Sequence, residues 1–308
     1  MFSTFTSTIL RALETIQHMK QTFFESDGSL QVTIPHDDVT WIDFLTNSRR
    51  LNSLEGGWDF QTTWKDRGLD QLLNAKFLGQ WTDTSLHDSK THPRPRPADF
   101  KLGRVFTDER EAAADACDPM QIAHCSENSL NARLFQNFGI SPSGHRTNCK
   151  PNPFSGPLLG YEVPLCDDSD GQLKIDLLAR GSVPVQLEII ELKQANNTNN
   201  SPLMALVEGI CYGLQLWRCQ KAFRVESAAL ARSSNAEEFK LQPAHFDILN
   251  LTIAAPKLYW SRWNCIGEEA IKINGKMKEI LTKVNEAKKL RGAKLNLRDF
   301  CIVESGHL

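Results

Sequence analysis

The chain has 308 residues, of which 41% are hydrophobic and 23% are charged. These values are typical of soluble globular proteins, and the length suffices for one large or two ordinary domains with a core that needs no disulfide or metal. Lys and Arg total 35 while Asp and Glu total 37, so net charge does not indicate a nucleic-acid partner, and any such argument depends on local charge.

The N-terminal region, residues 1–83, is predicted to be mostly helical and contains no chemical motif. Its first 20 residues have the pattern of an amphipathic helix, interrupted by charge too early for a signal peptide. No segment approaches the roughly 18 apolar residues of a membrane span. Residues 84–104 are polar and rich in proline and arginine, which indicates a linker or extended arm. We therefore expect a soluble, cytoplasmic protein with its main domain at residues 105–308.

The eight cysteines are scattered singly, without a CxxC pair. This pattern favours reduced thiols over a disulfide framework. A zinc site is the alternative, because several ligand types fall within one stretch. They are Cys117, His124, Cys125, His145 and Cys149.

From Asp118 onward the pattern becomes regular. Asp118-Pro119 is a good helix start, an apolar stripe runs to Phe138, and Gly139 ends the helix. Three segments typical of strands follow, separated by turn residues at Asp170-Gly171 and after Gly181. These segments are 158–165, 172–180 and 185–193.

Ser201-Pro202 begins a second helix with an apolar face. A buried strand is expected at 246–256, and a lysine-rich helix at about 268–289. Tight turns imply that the first three strands are antiparallel, whereas the strand after the long helix is free to add in parallel. The expected fold is therefore an α/β sandwich with a mixed sheet.

Three ionisable residues lie on the second and third predicted strands. Glu191 and Lys193 are two apart, so they share a face, and a hairpin through Gly181 brings Asp176 beside Glu191. Two carboxylates and a lysine on a sheet are costly unless something compensates them. A divalent cation does so, because Mg²⁺ prefers oxygen ligands and commonly binds through one or two carboxylates with several waters.

The segment KIDLLAR…LEIIELKQ, followed by a long helix, resembles the PD-(D/E)xK nuclease superfamily over roughly Asp118 to Pro256. Asp176, Glu191 and Lys193 match the residues that name the motif, while Ile175 replaces its proline. The resemblance implies a restriction-endonuclease-like core with Mg²⁺, or Mn²⁺ as a substitute, held by the two acids. The backbone carbonyl of Leu192 is a further candidate ligand.

Other family positions have candidates with alternative interpretations. Glu127 matches the acid that many members carry on the first core helix, but a helical glutamate can simply be solvated. Tyr212 and Gln215, three apart on the second helix, face either the site or the core. Gln194, next to the lysine, is a candidate substrate contact. Glu208 and Glu162 are either site residues or surface charges.

The resemblance implies a metal-dependent DNA endonuclease of restriction, defence or repair, with residues 1–83 selecting substrate or partner, including a second copy of the chain. RNA is a further candidate substrate. The alternative is an inactive nucleic-acid-binding or scaffold protein that keeps the fold. Two basic segments are candidates for phosphate contact, although charged faces are often only solvated. They comprise Lys90, Arg94, Arg96, Lys101 and Arg104, and Lys276, Lys278, Lys283, Lys288, Lys289 and Arg291.

Overall fold

The computed structural model describes residues 100–102, 108–141, 144–145, 150–165, 174–181, 186–198, 200–234, 236–286 and 294–308. The expected N-terminal helical region, nearly all of the expected linker and both expected hairpin turns lie outside these residues. Within them, no helix is long and apolar enough to cross a membrane.

The first part of the described chain is helical. Helix α1 spans Asp108–Asp115. The sequence predicts one continuous helix from Asp118, but the structure contains two: a 3-10 helix at Pro119–His124 and helix α2 at Glu127–Phe138. The Asp118 side chain caps the first by accepting a hydrogen bond from the Met120 amide at 2.9 Å.

The break before α2 has a local cause. Cys125 adopts an extended backbone with φ −63° and ψ 132°, and Ser126 then acts as a second cap, accepting from the Ser129 amide at 3.1 Å. Cys125 also forms a disulfide with Cys117. The expectation of reduced thiols is therefore wrong for this pair, and because both sulfurs are bonded to each other they are not zinc ligands.

Five strands follow α2. The two-residue strands β1 and β2 pair with each other, and β3, β4 and β5 form an antiparallel meander. The last three coincide with the predicted segments to within two residues. The bounds are Ile140–Ser141 for β1, Gly144–His145 for β2, Leu158–Pro164 for β3, Lys174–Gly181 for β4 and Gln186–Leu192 for β5.

Helix α3, Pro202–Ser234, is the longest element described, at 33 residues. The Ser201 hydroxyl accepts from the Met204 amide at 3.3 Å, as expected of a cap residue before proline. Strand β6, Ile248–Pro256, then returns parallel to β5. The predicted parallel addition of this strand is confirmed.

The C-terminal part contains one predicted helix and several elements that the sequence did not indicate. Helix α5 corresponds to the predicted lysine-rich helix. Helix α4, directly after β6, and two short strands parallel to β6 were not predicted. Short 3-10 helices lie at Glu237–Phe239, Pro243–Phe246 and Ser305–His307. The remaining bounds are Lys257–Arg262 for α4, Gly267–Glu286 for α5, Lys294–Leu297 for β7 and Cys301–Val303 for β8.

The main sheet has six strands in the order β3-β4-β5-β6-β7, with β8 also paired to β6. Buried residues of α3 and α5 pack on one face of this mixed sheet, and those of α2 pack on the other. The coarse α/β class expected from the sequence is confirmed. Because β4 is antiparallel to β5, the start of β4 lies at the same edge of the sheet as the carboxyl ends of β5 and β6.

Candidate active site

Asp176 and Glu191 lie at the same edge of the sheet, on the neighbouring strands β4 and β5. The paired residues run from Gly181 opposite Gln186 to Leu177 opposite Ile190, and Asp176 and Glu191 are the next residues of their strands. Asp176 Oδ2 accepts a hydrogen bond from the Leu192 amide at 2.8 Å. This hydrogen bond holds the Asp176 carboxylate at the end of β5.

Lys193 lies immediately beyond β5 with its ammonium group buried. Its backbone amide donates to the Ala254 carbonyl of β6 at 2.9 Å, so the strand direction continues through this residue. Its Nζ lies 2.5 Å from Glu191 Oε1 and 3.1 Å from Glu208 Oε2. The exposed fractions are 2% for Lys193, 3% for Glu191 and 4% for Glu208, so the ion pairs are shielded from solvent.

Glu208 reaches this group from α3, the helix that packs against β5 and β6. The sequence left open whether Glu208 is a site residue or a surface charge. Its burial and its contact with Lys193 exclude the surface interpretation. No local feature of the sequence could have decided this, since the contact spans the α3–sheet interface.

Glu127 is the first residue of α2 and is partly buried. The negative charge of Glu127 raises the pKa of both Asp176 and Lys193. Glu127 therefore lies near the edge of the sheet that carries these two residues. The second cap at Ser126 sets where α2 begins and therefore where Glu127 projects.

The pKa values of the site reflect its excess of negative charge. Burial, and then the charge of Glu191, raise the pKa of Asp176 well above its usual value, against the opposing effects of Lys193 and the Leu192 amide. For Lys193, burial acts to lower the pKa, but Glu191, Asp176 and Glu127 outweigh it, and the net shift is upward. Lys193 is therefore a permanent positive charge at neutral pH, not a proton acceptor.

Tyr259, on α4, lies at the border of this group and was not indicated by the sequence. Burial is the main cause that raises its pKa well above the usual value, and the charges of Cys265, Glu191 and Glu127 add to it. Its hydroxyl donates to the Asn200 carbonyl at 2.9 Å. Tyr259 thus ties α4 to the segment before α3 while remaining neutral.

The remaining candidates are placed less centrally. Gln194 is partly buried directly after Lys193, and Tyr212 is 5% exposed within the core cluster that contains α3. The side chain of Gln215 lies outside the described part of the structure. Glu162 is on β3 with φ 45°, a left-handed conformation uncommon for a non-glycine residue, and the β3–β4 register places it opposite Asp176.

The donor chemistry fits a hard cation better than a soft one. Asp176 and Glu191 offer carboxylate oxygens, and Mg²⁺ commonly binds through one or two carboxylates while keeping several waters. Among the described residues, no three His, Cys, Asp or Glu side chains converge closely enough to hold a metal ion by themselves. A cation at Asp176 and Glu191 would therefore be largely hydrated and would share Glu191 with Lys193.

The basic segments are only partly described. Lys278 of α5 pairs with Asp299 at 2.7 Å, and Lys272 with Glu269 at 3.8 Å, so part of this helix face is engaged with acids. Lys101 is exposed. The described part of the structure does not include residues 84–99, 103–104 and 287–293 or the side chain of Lys283.

No protein-family model, curated protein or solved structure matches this chain.

Proposed function

We propose that the protein is a divalent-cation-dependent phosphodiesterase that cleaves DNA internally. The observation that carries this proposal is that the Asp176 carboxylate is bound to the Leu192 amide, next to Glu191, with the buried ammonium of Lys193 beside Glu191. This arrangement agrees with the resemblance of the segment to the PD-(D/E)xK nucleases. The fold order of α2, three antiparallel strands, α3 and a parallel strand also agrees with it.

The charge balance supports a cation. Among the described residues, the carboxylates of Glu127, Asp176, Glu191 and Glu208 act on one ammonium group, that of Lys193. Buried charge in excess must be offset by protons or by a bound cation. Burial raises the pKa of Asp176, and the neighbouring charges of Glu191 and Glu127 raise it further.

Asp176 and Glu191 would hold the cation, with Glu127 and the Leu192 carbonyl as further candidates. When bound, Mg²⁺ polarises a phosphate oxygen and makes a bound water more acidic. Lys193 supplies fixed positive charge next to the phosphate, where it stabilises the negative charge that develops in the transition state. Its raised pKa keeps it charged at neutral pH.

Glu208 contributes to the same chemistry by holding Lys193. A buried ammonium needs a counter-charge, and Glu191 cannot serve fully when its carboxylate also binds a cation. Glu208 on helix α3, 3.1 Å from Lys193 Nζ, provides that counter-charge. Lys193 therefore keeps its position when Glu191 is shared.

Two observations favour the alternative, an inactive protein that retains the fold for nucleic-acid binding or as a scaffold. The Lys193 ammonium is closed onto Glu191 at 2.5 Å, and among the described residues three metal-ligand side chains do not converge. Such a closed arrangement is also what a purely structural ion pair would show.

The deciding experiment is cleavage of supercoiled plasmid, single-stranded DNA and single-stranded RNA by the purified full chain with Mg²⁺ or Mn²⁺. We expect wild type to nick or linearise plasmid, and Asp176→Ala, Lys193→Ala and EDTA each to abolish this. Lys240→Ala, at an exposed lysine that pairs with Glu237 and lies outside both basic segments, is the control and should retain activity. An inert wild type, or equal cutting by the site variants, favours the scaffold function, and cleavage of RNA alone reassigns the substrate.

A further inference from the structure

Asn131 is a buried amide on the same helix as Glu127. It lies one turn further along α2 and is 2% exposed. Its Oδ1 accepts no hydrogen bond from any residue that the structure describes. A buried acceptor without a partner is rare in native proteins, and where one occurs a water, an ion or a ligand is the usual explanation.

Asn131 is buried on α2, the helix that packs against β3 and β4. At about 100° per residue, Asn131 lies about 40° around the helix axis from Glu127 and about 40° from Phe135. Phe135 packs against Tyr161 of β3, with ring centroids 4.8 Å apart. Around the helix axis, Asn131 therefore lies between Glu127 and Phe135, the residue that faces β3. Strand β4 is the neighbour of β3 in the sheet. Helical side chains also lean toward the N-terminus, which directs Asn131 toward the Glu127 turn.

Other asparagines of the described helices have clear structural roles. The Asn137 amide donates to the carbonyls of His307 and Leu308, both at 3.1 Å, and fastens the C-terminus to α2. The Asn274 amide donates to the Arg298 carbonyl at 3.4 Å. The carbonyl oxygen of Asn131 makes no such hydrogen bond within the described structure.

We propose that Asn131 is a positioning residue of the cation site, its Oδ1 accepting a hydrogen bond from a water of the hydrated cation at Asp176 and Glu191. The inference rests on the cation of the proposed function, but not on nuclease activity. A cation held by few carboxylates keeps several waters, and each bound water is a strong donor that needs an acceptor. A neutral acceptor provides this without adding to the excess of negative charge.

The test is calorimetric titration of the purified full chain with Mn²⁺, together with thermal melting in EDTA. We expect Asn131→Leu to weaken Mn²⁺ binding by about tenfold or more, the usual effect of losing an outer-shell partner. Its melting temperature in EDTA should be unchanged or higher, because a buried acceptor without a partner has been removed. Asn131→Asp keeps an oxygen and should bind Mn²⁺ at least as tightly as wild type.

Asn274→Leu is the matched control, a buried helical asparagine, 6% exposed, whose amide has a partner. It should melt at a lower temperature with unchanged Mn²⁺ affinity. If Asp176→Asn abolishes binding while Asn131→Leu binds as wild type does, the role of Asn131 is wrong and the cation site stands. If wild type binds no Mn²⁺, or Asp176→Asn binds it normally, the cation site fails and the Asn131 inference fails with it.

Discussion

Replacing Lys193 by methionine gives the sharpest test of the buried charge group. Met keeps most of the side-chain volume and removes the positive charge, which leaves Glu191 and Glu208 buried at 3% and 4% exposure without their shared ammonium. Removing one partner of a buried ion pair costs about 3–5 kcal/mol. We therefore expect the free energy of unfolding in EDTA at pH 7 to fall by about that amount.

The assay is urea denaturation followed by circular dichroism, with and without Mg²⁺. On thermal melting, the same loss corresponds to roughly 10 °C, at about 2–4 °C per kcal/mol for a large domain. A cation should restore part of the lost stability, about 2.7 kcal/mol at a concentration 100 times the Kd. The gain should exceed that of wild type, because Lys193 no longer competes for Glu191.

Arg298→Met is the matched control. Arg298 pairs with Glu188, which is 0% exposed, but Ser155 and Thr252 also donate to that carboxylate. The substitution should destabilise the protein without creating a response to Mg²⁺. The reasoning is refuted if Lys193→Met is as stable as wild type in EDTA at pH 7, or if Mg²⁺ stabilises both variants equally.

Four further predictions concern protons and thiols. Because the pKa of Asp176 is raised in the folded protein, protonated Asp176 stabilises the fold. This stabilisation is full below the usual Asp pKa of about 3.9 and is lost as pH rises through the raised pKa. Asp176→Asn should remove that part of the pH dependence of the melting temperature in EDTA. Because protons compete with the cation for Asp176, Mn²⁺ affinity measured calorimetrically should rise with pH over the same range, and constant affinity would contradict the shift. Replacing Cys117 and Cys125 together by serine should lower the free energy of unfolding by about 2.5 kcal/mol on the chain-entropy estimate for a loop this short, and a dithiol reductant should have no effect on the double variant. Burial, with Glu188 adding to it, raises the pKa of the Cys301 thiol to about 12, so iodoacetamide at pH 8 should label Cys301 in urea but not in the native protein.

Local patterns predicted strands β3 to β6 and helices α3 and α5. The apolar residues of β5 and the cap residue before α3 are features that neighbours in sequence determine, and those elements lie where they were expected. The single helix predicted after Asp118 was wrong because Ser126 is a second cap and the disulfide at Cys125 holds the chain extended before it. Two caps eight residues apart divide a helix, and the apolar stripe alone does not show this.

Long-range contacts account for what the sequence did not indicate. The short strands β7 and β8 are defined by their pairing with β6, which supplies partners that four- and three-residue segments cannot provide for themselves. Glu208, which the sequence left open as a site residue or a surface charge, and Tyr259, which it did not indicate, reach the site from α3 and α4. No spacing along the chain connects them to Asp176, so only the packing of these helices on the sheet reveals their positions.

The closed state of Lys193 is consistent with a cation site because the lysine has two carboxylates. With Glu191 as its only partner, a cation would have to displace the ammonium into a buried position without counter-charge, at a cost of several kcal/mol. With Glu208 3.1 Å away, the ammonium keeps one ion pair while Glu191 turns toward the cation. On the proposed function, Glu208→Gln should therefore weaken Mn²⁺ binding although Glu208 is not a proposed ligand of the cation, and an unchanged Mn²⁺ affinity would show that Lys193 and the cation do not compete for Glu191.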